Sequence, residues 1–122
     1  MGIKIKRVYE ASAPDDGCRS LVDRLWPRGI SKQNADVALW LKNIAPSTEL
    51  RKWFGHTPDR WQEFRRCYLQ ELNSKDDELA IIHNMLKTMR NVTLVYSAKN
   101  TEHNQAIVLL EYLTRRKPEP ST

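Results

Sequence analysis

Apolar and charged residues alternate through Ile3-Lys4-Ile5-Lys6. This period-two pattern predicts a first strand over residues 3–9 with one buried face at its start. Residues 10–17, EASAPDDG, are rich in turn formers and read as a loop. The run RSLVDRL at 19–25 predicts a second strand. Regular structure then breaks over WPRGISKQNAD, because Pro27 disfavours helix at Trp26 and Gly29 permits an unusual backbone angle. Residues 37–44, VALWLKNI, read as a short helical or irregular segment.

The period then lengthens to that of helices. PSTELRKWFG reads as a helix with Ser47 or Thr48 as its N-cap and Gly55 as its stop. In the next, Thr57 caps, Pro58 takes the first helical position, and apolar residues recur at 61, 64, 68, 69 and 72. DDELAIIHNMLKTMR carries acids in its first turn and bases in its last, with Leu79, Ile82, Leu86 and Met89 on one stripe. The strongest strand signal is the β-branched run of NVTLVYSAKN, residues 91–100. A last helix is expected over TEHNQAIVLLEYLTRR, with Asn100 or Thr101 as its cap.

This order of elements predicts a single compact α/β domain over residues 1–117, with a small, mostly parallel sheet of about three or four strands packed with helices. Residues 118–122 are expected to be a disordered tail. Whether the first two strands pair directly stays open.

Composition narrows the function classes. A 122-residue chain, 40% hydrophobic and 29% charged, has the makeup of an ordinary globular domain. No apolar stretch approaches the roughly 20 residues of a membrane span, and the charged start lacks the apolar core of a signal peptide. A cytoplasmic location and no membrane partner are the expectation. Cys18 and Cys67 lack metal-ligand or redox-pair spacing and are read as free thiols. His56 reads as a helix C-terminal contact, and no His-x-x-x-His or paired acidic ligands accompany it, so neither a metal nor an organic cofactor is expected. Trp26, Trp40, Trp53 and Trp61 read as packing residues. The formal charge of +5 favours an anionic partner without choosing among phosphate, carboxylate and nucleic acid.

The candidate chemistry lies where two strands end. In open α/β sheets ligands gather beyond the carboxyl ends of strands. One such end delivers Asp23, Arg24, Trp26 and Arg28. The other delivers Ser97, Lys99 and Asn100 ahead of a helix start, whose free N–H groups favour an anion. Ligand contacts are assigned to Arg24, Arg28, Ser97, Lys99 and Asn100, with Asp23 and Trp26 in support. Arg24 and Arg28 would fork onto a phosphate or carboxylate. Internal ion pairing is the competing account of these charges.

The stretches KRVYE, DGCRSLVDRLWPRGISK, PSTELRKWF, FRRCYLQEL and LVYSAKNTEHNQAIVLLEYL together resemble the YeaO-like proteins, a bacterial branch of the family defined as domain of unknown function 488. The resemblance implies a compact α/β domain and places Arg24, Trp26, Pro27, Arg28, Gly29, Ser97, Lys99 and Asn100 within family motifs. Other branches carry a Cys after the last strand's apolar run and a Cys-His-Arg triplet at the following helix. Here the corresponding positions read Tyr96 and Asn104-Gln105-Ala106. On that alignment thiol chemistry does not carry over, while Asn104 and Gln105 retain the capacity to hydrogen-bond a ligand.

Three readings remain at this point: a domain binding an anionic small molecule, a nucleic-acid-binding or regulatory protein, and a scaffold or oligomerisation module without chemistry. Whether the chain is an enzyme, and its oligomeric state, stay open.

Overall fold

The computed structural model describes residues 2–55, 57–89 and 91–115. Four strands, β1 (Gly2–Arg7), β2 (Cys18–Leu21), β3 (Leu39–Trp40) and β4 (Asn91–Tyr96), form one sheet in the order β1-β4-β2-β3. Every pairing is parallel, with Ile5 and Ser20 both in register with Leu94 and Leu21 in register with Trp40. The first two strands therefore do not pair directly, because β4 lies between them. Five helices accompany the sheet among the described residues: α1 (Lys32–Ala35), α2 (Thr48–Phe54), α3 (Trp61–Leu72), α4 (Asp76–Thr88) and α5 (Gln105–Arg115).

The alternation in β1 reports the two faces of the sheet. Ile3 and Ile5 pack with Val92, Leu94 and Tyr96 of β4 against a core that includes Ile82, Val108 and Leu109 from α4 and α5. Lys4 and Lys6 turn to the opposite face, where Arg19 of β2 and Thr93 of β4 are buried. Here the loop before β2 supplies the countercharge. Asp16, only 1% exposed, accepts from Arg19 Nη1 at 2.9 Å and Lys6 Nζ at 3.1 Å, and its Oδ1 lies 3.2 Å from Lys4 Nζ. Burial alone would raise the Asp16 pKa; the bonds from Arg19, Lys6, the Ala13 amide and Lys4 override it and hold the carboxyl well below its ordinary range. Arg19 also donates to the carbonyls of Ala35 and Asp36, so one guanidinium joins β2, the preceding loop and the end of α1. Gly17 makes the approach possible: its φ is 64°, and a Cβ there would sit 2.1 Å from the Asn91 carbonyl oxygen.

Several boundaries differ from the sequence expectation. The second strand ends at Leu21 rather than at residue 25, so Asp23 and Arg24 lie beyond the sheet. A short helix, α1, occupies the stretch expected to be irregular, with Ser31 as its N-cap, and the 37–44 segment contains the edge strand β3. Ser47 caps α2 by accepting from the Leu50 amide, and Gly55 closes it in the left-handed conformation. Residues 58–60 form a separate 3-10 turn before α3. On α4 the buried stripe is Leu79, Ile82 and Met85; Met89 has extended backbone angles and falls out of helical phase, 43% exposed. Trp61 is buried, whereas Trp53 is exposed. His56, read as a helix-end contact, and the tail at 118–122 lie outside the described residues.

Candidate functional site

The carboxyl ends of β2 and β4, adjacent in the sheet, deliver residues 23–28 and 97–99 to one side of the domain, where they line a cleft of about 410 Å³. Arg51 and Phe54 of α2, Phe64 of α3, Ala45, Pro46, Tyr9, Asn104 and Gln105 complete the wall.

Asp23 links the two strand ends. Its Oδ2 accepts from the Ser97 amide at 3.1 Å and from Ser97 Oγ at 2.5 Å, while Oδ1 accepts from Gln105 Nε2. Behind it, Trp40 Nε1 donates to the Asp23 carbonyl at 2.8 Å. The side chain is buried, and burial pushes its pKa up; the Ser97 and Gln105 hydrogen bonds and the charge of Arg51 oppose that rise without cancelling it.

The arginine of the same motif has a different task. Arg24 Nε donates to the Pro46 carbonyl and Nη2 to the Ala45 carbonyl, both at 3.1 Å, so the guanidinium holds the segment before α2 against the end of β2. Arg7 does the same on the other side, donating to the carbonyls of Ala98 at 2.9 Å and Ser97 at 3.1 Å. Its guanidinium also lies over the Tyr9 ring, and the Tyr9 hydroxyl donates to the Arg28 carbonyl at 2.7 Å. These bonds spend cations on peptide oxygens and fix the loops that shape the cleft. Trp26 closes the turn that carries Arg28 by donating to the Ile30 carbonyl at 2.8 Å, and it meets Trp40 edge to face.

Beyond β4, Asn100 Oδ1 accepts from the amides of Glu102 and His103, forming a side-chain turn. The last helix consequently starts later than expected. Asn104, rather than Asn100 or Thr101, caps α5 by accepting from the Ile107 amide at 3.0 Å. His103 stacks on Trp61 with ring centroids 4.7 Å apart, seating this loop on α3.

The cleft thus brings together Asp23, Arg24, Trp26, Arg28, Ser97, Lys99 and Asn104, and Asn100 is not part of its wall. Arg28, Arg51 and Lys99 are solvent-exposed on that wall, while Ser97 is engaged by Asp23 and Arg24 by backbone oxygens. Sequence reasoning did not single out Arg7, Arg51, Phe54 or Phe64, because each enters through a long-range approach of elements that carries no local pattern. Among the described residues, no group of three His, Cys, Asp or Glu side chains is placed to hold a metal ion. Cys18 is buried beside Met85, and both cysteines are free. No helix among the described residues is long and apolar enough to cross a membrane.

Fold and site together define a small parallel α/β domain with a polar cleft at the carboxyl ends of its two central strands. The model of the family described as the Inactive DUF488-N3 subclade matches residues 2–120, and the chain belongs to that family. It is 46% identical over 113 residues to the uncharacterized protein YeaO of Escherichia coli (strain K12), a match covering 93% of this chain and 97% of YeaO. An uncharacterized protein of Mycobacterium tuberculosis (strain ATCC 25618 / H37Rv) is 42% identical over 115 residues, covering 93% of this chain and 95% of the relative. These matches set the chain in the YeaO-like branch. No solved structure matches it significantly.

Proposed function

We propose that this protein is a binding domain whose cleft takes a small anion, a phosphate or a carboxylate, without transforming it. The observation that carries the reading is the convergence of Arg28, Arg51 and Lys99, all exposed, on one concave wall whose single carboxylate among the described residues is the buried Asp23. Exposed cations gathered in a concave, partly apolar site attract an anion more strongly than the same charges on a convex surface. Binding without catalysis suits the engaged state of the polar groups: Ser97 already donates to Asp23, and Asp23 already accepts three hydrogen bonds. The word inactive in the family description accords with it.

The test is calorimetric titration of the purified chain with inorganic phosphate and with acetate, in wild type and in Arg28→Ala and Lys99→Ala. Each substitution should weaken binding by about tenfold or more, the loss expected for one charge-assisted hydrogen bond. No heat with either anion at low ionic strength would overturn the reading. Steeply salt-dependent binding of duplex or single-stranded nucleic acid, with no response to phosphate, would replace it with a nucleic-acid role.

A further inference from the structure

Building on the anion reading, we propose that the ligand is a zwitterion, with a protonated amine that meets Asp23 and a phosphate or carboxylate that meets Arg28, Arg51 and Lys99. The anion reading leaves Asp23 unexplained, since a carboxylate in the wall of an anion site works against its occupant. Asp23 is 8% exposed, yet among the described residues no lysine or arginine side-chain nitrogen lies within 4.0 Å of its carboxylate oxygens, and none of the ion pairs there includes it. Arg51 acts on it only from beyond ion-pair distance; a buried carboxylate with no cation in contact is costly to keep charged, and a cation brought by the ligand lowers that cost.

The carboxylate also has acceptor capacity left. A charged carboxylate offers about four acceptor sites. Asp23 Oδ2 uses two on Ser97 and Oδ1 uses one on Gln105, which leaves Oδ1 with one acceptor site not used by the described residues. The carboxylate is held in one orientation by these bonds and by the Trp40 bond to its own carbonyl, so an incoming amine meets an acceptor already in place. The apolar part of the wall, Leu25, Phe54 and Phe64, suits a hydrocarbon connector between the two charged ends, and Leu25 is 61% exposed.

The experiment compares ligands that differ only in the amine. Calorimetric titrations at neutral pH would set aminoalkyl phosphates with connectors of two to five carbons against the corresponding alkyl phosphates. At the best-fitting length the aminoalkyl phosphate should bind about tenfold or more tightly, the usual contribution of a partly buried charge-assisted hydrogen bond. N-acetylation of that probe should abolish the preference. Asp23→Asn should abolish it too, while binding the plain alkyl phosphate at least as well as wild type. Should Asp23→Asn fail to fold, the amine, alkyl and N-acetyl series on wild type decides alone. Alkyl phosphate binding with no gain from the amine would overturn the zwitterion and leave the anion reading standing. Binding of neither series, with amino acids of the same connector lengths and acetate also giving no heat, would overturn both.

Discussion

Asp23 and Ser97 are joined twice across the ends of β2 and β4, through the Ser97 amide at 3.1 Å and the Ser97 hydroxyl at 2.5 Å. This pairing orients the carboxylate in the cleft and also limits the penalty of burying it. Removing the hydroxyl takes away one of the interactions that lower the Asp23 pKa and leaves burial, which raises it, with less opposition.

The sign of the consequence follows from linkage. A carboxyl whose pKa is higher in the folded state than in the unfolded chain detracts from stability when charged, and the penalty grows as pH rises from the ordinary value of 3.8 through the folded value. Ser97→Ala should therefore be destabilised by about 1–2 kcal/mol at pH 7, with a smaller gap from wild type near pH 4. Urea unfolding at the two pH values measures this. A gap that stays constant or widens in acid would show that the hydroxyl does not act through Asp23.

Arg24 should prove to be a structural residue. Its guanidinium satisfies the carbonyls of Ala45 and Pro46, and Arg24→Ala should cost about 1–3 kcal/mol while lowering protection of the segment around Ser47 in hydrogen exchange. Arg24→Lys should recover only part of the loss, since one ammonium cannot reproduce a planar two-pronged donor. Full recovery by lysine would mean that charge alone matters at this position.

Asp16 gives the opposite pH signature to Asp23. Its carboxyl lies below its ordinary range in the folded state, so its contribution is fully present above the unfolded value near 3.8 and is lost as pH falls through the lower folded value. Asp16→Asn should cost about 3 kcal/mol at pH 7, because it leaves Arg19, 3% exposed, without its countercharge. The wild-type advantage should begin to shrink as pH falls through about 3.8 and keep shrinking in stronger acid, as followed by circular dichroism. An Asp16→Asn variant as stable as wild type at pH 7 would show that the backbone oxygens around Arg19 suffice to hold it.

The sequence alone determined the class of fold and the place of the cleft. Periodicity separated strands from helices because an apolar stripe at period two or 3.6 is the local imprint of which face is buried. Cap residues such as Ser47 and Gly55 marked the ends of α2 because their chemistry acts within a single turn. The motifs around Asp23 and Ser97 pointed to strand ends, and the parallel sheet brings those ends together. What only the tertiary structure decided was which charges are engaged within the protein. Arg19, Arg24 and Arg7 look alike in sequence to Arg28, yet the first three are satisfied by a carboxylate or carbonyls, many of them contributed by segments distant in the chain, whereas Arg28 is left exposed on the cleft wall. The placement of β4 between β1 and β2 was likewise out of local reach, since strand order follows from how the helices pack over the sheet, and no window of residues encodes that.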